Sequence, residues 1–402
     1  MAKVMTIAEP VSRRSAAPSL KAFLSLGFRP LYLAGSLWAL LAVALWVFVP
    51  QWLNPRMGAL AWHAHEMLWG FIGTIALGFL LTASATWTGI NPLKGRPLAM
   101  LCGMWLLARL AYLSSDTRVF GLAVVAETVV YLWSGLALWR VIRKSHSLRN
   151  YGIPWLAVGL GLANLAYLHQ AWLGQYPALM QRFTLGLVVM AIIALLVARR
   201  VIPFFASRAI QGLNLPMQVG SGQLQLGLGL LAIATLLVGL PRLAGVLLMA
   251  CGLVSLVQVI SWKPQVVVKR PILSILYLGY TLLGLGLLTA GAWQLNLLPT
   301  TLSRMALPAH LIGMGGFSVL IIGMITRTAL GHLGRALKLD TSMLCSYGLI
   351  VLAVALRLAA LWPSPASAGL VHAAGACWVA AMALYIWRFG PMLIRPRPDA
   401  GF

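Results

Sequence analysis

The sequence is poor in acidic residues: six Asp and Glu stand against 30 Lys and Arg in 402 residues. So few carboxylates argue against paired-acid hydrolysis and against oxygen-rich calcium or magnesium sites. The chain also lacks a GxxxxGK[ST] phosphate loop and an HExxH zinc motif, so any catalysis must rely on other metal chemistry. Its net charge of +24 does not indicate nucleic acid binding, because the basic residues are spread between apolar segments instead of forming one patch.

Cysteine is scarce as well. The four cysteines lie singly inside apolar segments and show no CxxC spacing; they are Cys102, Cys251, Cys345 and Cys377. Neither a disulfide framework nor a thiolate metal site is indicated, and we interpret these residues as core packing.

Apolar residues are abundant, at 61% of the chain, while charged residues make up 9%. A soluble domain of this size could not bury so much apolar surface. The sequence therefore predicts an all-α, multi-pass membrane protein. Runs long enough to span a bilayer fall at 28 to 49, 62 to 84, 97 to 114, 120 to 140, 152 to 172, 183 to 198, 222 to 239, 243 to 261, 271 to 290, 307 to 326, 343 to 361 and 368 to 387.

The distribution of basic residues sets the predicted orientation of these twelve helices. The predicted outer loops carry only Arg56, Arg118, Arg182, Arg242 and Arg304. Apart from Arg109 and Arg357, which lie within spans, the other Lys and Arg fall on the inner side, so both termini are predicted to be cytoplasmic. We expect a disordered basic tail at 1–27, one transmembrane domain at 28–390 and a short cytoplasmic tail at 391–402. No internal repeat is evident.

The second apolar run begins with a concentrated polar motif, Trp62-His63-Ala64-His65-Glu66-Met67, which holds two of the seven histidines and one of the six acids. Such groups are costly at a membrane helix unless they have a partner or a function, although a hydrated helix cap is the simpler alternative. Two positions along an α-helix correspond to about 200° of rotation. We therefore expect His63 and His65 to point to opposite sides, and His63 and Glu66 to share a face. The two histidines would then serve different centres, or one of them would support a metal ligand without binding the metal itself.

Other polar residues fall at the same predicted depth. His169, His310 and His372 join His63 and His65 near the outer face, and the charged residues within spans, Arg109, Glu127 and Arg357, lie in the outer halves of their helices. Together they predict a polar, histidine-rich cavity near the outer leaflet, although each residue alone could be an interfacial histidine or part of a structural ion pair. Histidines with few carboxylates and no thiolates suit haem iron or copper. The candidate metal ligands are His63, His65, Glu66, His169, His310 and His332.

Five segments carry a family resemblance: Phe28-Arg29-Pro30-Leu31, the His63 motif, Thr86-Trp87-Thr88-Gly89, Arg199-Arg200-Val201-Ile202-Pro203-Phe204-Phe205 and Gly323-Met324-Ile325-Thr326-Arg327-Thr328-Ala329-Leu330-Gly331-His332-Leu333-Gly334-Arg335. Over nearly its whole length the chain resembles the NnrS family of bacterial inner-membrane proteins. The resemblance implies twelve helices, b-type haem, copper and a part in the response to nitric oxide. His63, His65, His310 and His332 stand at the family's histidine positions, whereas Tyr277 occupies a position that is often histidine.

A haem near the outer leaflet would need donors for its propionates. The cations within spans, Arg109 and Arg357, are candidates, but Arg109 could instead pair with Glu127. We expect His310 and one of His63 or His65 to reach a common cofactor. His332 lies about 33 Å from His310 along one helix and cannot share its metal, so it belongs to a second centre or, with nearby arginines, to a structural network.

Two functions remain from the sequence. The first is a haem and copper protein that binds, senses or reduces nitric oxide, and reduction would make it a metal-dependent oxidoreductase that needs an electron donor. The second is a twelve-helix secondary transporter that uses the histidine-rich cavity as a substrate or metal site, for which helices interrupted near mid-bilayer would be expected.

Overall fold

The computed structural model describes residues 17–398, and this part of the chain is helical without any strand. Its twelve long helices are α1 Phe28–Phe48, α2 Ala59–Thr88, α3 Arg96–Ala111, α4 Thr117–Lys144, α5 Ile153–Leu173, α6 Tyr176–Ala209, α7 Val219–Leu237, α8 Pro241–Ser261, α9 Pro271–Gln294, α10 Ala306–His332, α11 Thr341–Ala359 and α12 Ser367–Leu393. A four-residue helix, Leu20–Phe23, and three 3₁₀ turns complete the described chain.

The helix boundaries follow local chemistry. The side chain of Asp116 accepts hydrogen bonds from the first backbone N–H groups of α4, and Asp340 does the same for α11, because these N–H groups have no partner within the helix. Pro241 and Pro271 begin α8 and α9, where a missing N–H costs nothing. Gly89 ends α2 at a φ of +72°, a left-handed conformation that glycine adopts without strain.

Eleven candidate membrane spans lie in the described residues, where twelve were expected. The exception is α3, which has 16 residues. At 1.5 Å per residue it is about 24 Å long, shorter than a hydrocarbon core of about 30 Å. The expected run at 97 to 114 thus forms a shorter helix than its hydropathy indicates, because the chain turns after Ala111.

The helices form three groups of four around a common axis, although the sequence shows no repeat. Equivalent helices α1, α5 and α9 begin at Phe28, Ile153 and Pro271, at intervals of about 120 residues. In each group the first helix packs on the second and the third on the fourth, while α4 contacts α5, α8 contacts α9 and α12 contacts α1. The second helices, α2, α6 and α10, contact one another and form the centre of the ring.

The two ends of the described chain meet at one end of the bundle, here called the termini end. The Ser19 N–H donates to the Ile394 carbonyl at 2.8 Å, and Arg29 donates to the Leu393 carbonyl at 2.9 Å. Part of the tail expected to be disordered is therefore helical and packed, at Leu20–Phe23. Residues 1–16 and 399–402 of the two predicted tails lie outside the described residues.

Helices α2 and α10 share a local feature that was not expected. Each contains an eight-residue π-helical segment, Glu66–Gly73 in α2 and Leu311–Ser318 in α10. Each segment begins directly after a histidine, His65 or His310, and neither breaks its helix. Such segments are rare and are frequent at functional sites.

Candidate functional site

A cavity of about 540 Å³ lies at the end of the bundle opposite the termini end, here called the far end. The central helices α2, α6 and α10 form its walls together with parts of α1, α11 and α12. Most lining side chains are apolar, and the nitrogen-bearing groups among them are His63, His310, Arg357 and the indoles of Trp46 and Trp378. This histidine cavity is within the usual size range of cofactor pockets, about 300 to 1,000 Å³.

The His63 ring is held in place but retains a free bonding position. It stacks on Trp46 with the ring centroids 5.0 Å apart and an interplanar angle of 10°. Its Nδ1 atom is buried and has no hydrogen-bond partner. A buried polar atom without a partner is unusual in a folded protein, so this ring is suited to a ligand that supplies the missing bond.

The His310 ring is fixed by its own helix. Its Nδ1 atom lies 2.7 Å from the carbonyl oxygen of Ala306, one turn earlier. Because a carbonyl accepts only, the proton must lie on Nδ1, and the lone pair is then on Nε2. This arrangement is typical of histidines that bind metals through Nε2. The structure brings His63 and His310 to the same cavity, while the expectation that they reach a common cofactor stays a prediction.

Arg357 is the cation of the histidine cavity. Its side chain is half-buried and is the contribution of α11 to the lining, and no ion pair in residues 17–398 includes it. A guanidinium in an apolar wall favours an anion with two oxygen atoms, such as a carboxylate. The histidine cavity therefore has a positive charge that no described acid neutralises.

Sulfur atoms that were not predicted from the sequence also line this cavity. Four methionines line it: Met67, Met180, Met305 and Met314. Methionine is an ordinary apolar residue in a membrane helix, so nothing in the sequence indicates that these four converge. Thioethers are soft ligands that suit Cu(I). Across residues 17–398, no three His, Cys, Asp or Glu side chains group as a metal site, so any metal here would need the histidines with other donors.

The other charged residues of this half form a separate cluster, here called the charge cluster: His65, Glu66, Arg109 and Glu127. All four side chains are 0% or 1% exposed. Arg109 Nη1 lies 2.6 Å from Glu66 Oε2, and Nη2 pairs with Glu127. The ion pair between Arg109 and Glu127 that the sequence left as an alternative is therefore present, and Arg109 does not line the histidine cavity.

Both ring nitrogens of His65 face oxygen atoms. Nδ1 lies 2.8 Å from Glu66, and Nε2 lies 3.0 Å from Glu127 and 2.9 Å from the side-chain oxygen of Asn164. A ring protonated at both nitrogens satisfies these acceptors, and with Arg109 it balances the two carboxylates. Neither nitrogen is left for a metal, although His65 and Glu66 were candidate ligands.

An aromatic shell surrounds the charge cluster. Trp38 donates to Glu66 at 2.5 Å and Tyr112 donates to Glu127 at 3.0 Å, while the rings of Trp69 and Tyr167 pack on His65. The shell supplies further hydrogen bonds and excludes lipid and water. Buried ions need such complete pairing, since a buried charge left alone costs several kcal/mol.

One structural expectation about the motif is confirmed and another is wrong. His63 and His65 do point to opposite sides of α2, one to the histidine cavity and one to the charge cluster. His63 and Glu66 do not share a face, because Glu66 contacts Arg109 and Trp38 instead. The π segment begins at Glu66, and its wider turns rotate each residue by less than an α-helix does.

The remaining candidates lie elsewhere. His169 is exposed beside Gln170, and His372 is exposed near Phe48. His332 packs against Phe28 at the termini end of α10, and so it is not brought together with His310.

Two further residues show what the sequence did and did not reveal. Tyr277 donates to the Trp262 carbonyl, between α8 and α9, away from the histidine cavity. Asn164 contacts His65 and was missed, although it is the only asparagine within the expected spans and could have been recognised for that reason.

Comparison with known proteins gives one family. Residues 22–397 match the sequence profile described as NnrS protein. A search of curated proteins found no match. The matched range includes all twelve long helices, the histidine cavity and the charge cluster.

Proposed function

The chain belongs to the NnrS family, and from that premise we propose that it is a haem and copper protein of the nitric oxide response whose metals lie in the histidine cavity. The single observation that carries the proposal is that His63 and His310 line one cavity with unused ring nitrogens.

The residues of the histidine cavity fit a b-type haem. His310 would hold the iron through Nε2, because its Nδ1 proton is bound to the Ala306 carbonyl. Arg357 would pair with a propionate, and the apolar lining from α1, α6 and α12 matches the faces of a macrocycle. When bound, haem supplies an iron that can bind nitric oxide or exchange an electron with it.

Copper fits the α2 side of the same cavity. His63 and Met67 are one turn apart on α2 and both line the cavity, so an imidazole and a thioether would be offered from one helix face. Met305 and Met314 of the α10 region could add further thioethers, a donor set that suits Cu(I). His63 would keep its orientation by stacking on Trp46.

The apolar lining of this cavity favours a neutral substrate. The apolar lining keeps water scarce, and nitric oxide partitions through lipid and needs no large gate. Reduction of nitric oxide, as opposed to binding or sensing, would require an electron-donating partner.

We propose twelve spans with both termini cytoplasmic, in a bacterial inner membrane. The two ends of the described chain meet at the termini end, so the number of crossings must be even. Eleven candidate spans and α3 make an even number, which favours a crossing by α3 despite its length. The positive-inside rule then orients the histidine cavity toward the periplasm.

The transporter alternative receives less support. Many secondary transporters form the substrate site from discontinuous helices, whereas α2 and α10 continue through their π segments. The half-helix ends that would bind a transported ion are therefore missing from the two helices that carry the histidines.

The experiment is an optical spectrum and metal analysis of the purified full-length protein. We expect a Soret band and bound copper in the wild type. His310→Ala should lose the Soret band, whereas His63→Ala and Met67→Leu should lose copper and keep haem.

The exposed His169→Ala is the matched control and should keep both metals. A wild-type protein that is produced in haem-sufficient cells yet shows no Soret band would overturn the haem proposal, and equal copper in His63→Ala would overturn the copper assignment.

A further inference from the structure

A second cavity, of about 90 Å³, lies between α1, α2, α6 and α10 on the side of the histidine cavity that faces the termini end. We call it the inner cavity. Its lining carries no charged residue, and its one polar side chain is that of Tyr32. Nothing in the proposed metal chemistry uses it.

The two cavities belong to one column along the central helices. On α6, Phe183 and Leu187 line the histidine cavity, and Met190 and Ala194 line the inner cavity. Their spacing of four, three and four residues places all of them on one helix face. Faces of α2 and α10 continue in the same way, and Ile72 of α2 lines both cavities. The Ile72 side chain is thus the partition between them.

The lining decides what the inner cavity can hold. A water molecule needs a volume of about 10 to 15 Å³ and two to four polar partners, and apolar cavities without such partners stay dry and bind apolar molecules. The inner cavity has the volume, but Tyr32 alone offers polar contact. A small, neutral, apolar molecule is the ligand class that these walls favour.

We propose that the inner cavity binds small neutral molecules of diatomic size and passes them to the histidine cavity across Ile72. It gives such molecules a route from the apolar interior of the membrane that avoids the polar far end of the bundle. That the bound molecule is nitric oxide rests on the proposed function. The existence of the binding site in the inner cavity does not.

Xenon tests the binding site, because it is neutral, apolar and visible by its anomalous scattering. Crystals of the full-length protein would be pressurised with xenon as wild type, Val197→Phe and Val371→Phe. Val197 lines only the inner cavity, and Val371 lines only the histidine cavity, so the two variants add the same bulk at different places.

We expect xenon in the inner cavity of the wild type and of Val371→Phe and its loss from Val197→Phe. Xenon that is absent from the wild-type inner cavity, or that remains there in Val197→Phe, would overturn the proposal. This result does not depend on haem, so it stands apart from a failure of the proposed function.

The rate of nitric oxide association with the haem-loaded protein tests the passage. Val197→Phe should slow association several-fold with the Soret band of the unliganded protein unchanged, and Ile72→Phe, at the partition, should slow it as well. Association at the wild-type rate in both variants would overturn the transit role.

Discussion

Each of two opposite faces of α2 carries a histidine, and the two histidines differ in their hydrogen bonding. His65 faces the charge cluster, where oxygen atoms meet both of its ring nitrogens, whereas His63 faces the histidine cavity with a buried nitrogen that lacks a partner. Both are ionisable groups inside a membrane helix, which by position alone would mark either as functional. A histidine whose ring nitrogens are both paired therefore has a structural role, and one with an unpaired nitrogen beside a cavity is suited to bind a ligand.

The same contrast holds for the arginines. Arg109 has two carboxylate partners in the charge cluster, while Arg357 has no acid partner among the described residues. Neutral charge suits a cluster that is sealed from water, and a residual positive charge suits a cavity that receives an anionic group.

The largest effect is expected from Arg109→Leu. This change leaves Glu66 and Glu127 with only His65 as a cation, and breaking a buried ion pair on one side costs about 3–5 kcal/mol. We expect a large fall in melting temperature and in the yield of monodisperse protein after extraction.

Arg118→Leu is the control, since Arg118 is exposed at the start of α4 and should tolerate the change. An Arg109→Leu protein with wild-type stability would mean that the charge cluster is not structural.

A smaller loss is expected from Gly70→Ala, which tests the packing of the charge cluster. A Cβ atom at Gly70 would lie 2.5 Å from Arg109 Nη1 and 2.6 Å from Glu66 Oε2, and overpacking of this kind costs about 1–3 kcal/mol. Gly313→Ala is the matched variant at the histidine cavity, where nothing lies within 4 Å of the new atom. Thermal melting should separate the two variants, and equal melting temperatures would contradict the packing difference.

Arg357→Leu should affect the cofactor more than the fold. If haem binds as proposed, loss of the guanidinium would leave a propionate without its partner, so we expect several-fold weaker haem retention, with partial recovery in Arg357→Lys. The melting temperature of the haem-free protein should stay near that of the wild type, because Arg357 has no ion pair to lose. Arg304→Leu, in the exposed loop before α10, should retain haem fully, and full haem occupancy in Arg357→Leu would count against the propionate role.

The smallest effect is expected at Asp340, which caps α11 and pairs with Arg388 outside both sites. Burial would raise the pKa of Asp340, but hydrogen bonds from Ser342 and the Met343 N–H, together with Arg388, lower it below its ordinary value. Because this pKa is lower in the folded protein than in the unfolded chain, the ionised Asp340 carboxylate stabilises the fold at neutral pH, and this contribution is lost as pH falls.

The melting temperature of wild type should therefore exceed that of Asp340→Asn slightly at neutral pH, and the gap should narrow below about pH 4. A gap that stays constant down to that pH would exclude this linkage.

Much of the fold could be predicted from the sequence, because apolar runs between charged loops report membrane helices directly. The prediction of twelve full spans exceeded the eleven candidate spans observed, since hydropathy around Arg109 does not show that the chain turns after Ala111. The threefold arrangement was not predictable, because the three groups share helix order and packing without recognisable residue patterns.

The candidate site was predicted as one cavity, and the structure divides its residues between the histidine cavity and the charge cluster. The opposite directions of His63 and His65 followed from helix geometry, but the position of Glu66 did not, because a π segment cannot be read from the local residues. The ion pair of Arg109 with Glu127 was foreseen as an alternative from their shared depth. The contributions of Trp38 and the four methionines could not be foreseen, since they depend on which helices become neighbours.

The meeting of α12 with α1 has a consequence for biosynthesis. Walls of the histidine cavity come from Trp46 near the start of the chain and from Trp378 near its end. Helix α1 is synthesised long before α12, so the cavity is incomplete until α12 has entered the membrane. If metals bind as proposed, they would have to be loaded after translation. A chain truncated before Ser367 would have an open ring in which α1 is exposed to lipid where α12 should lie.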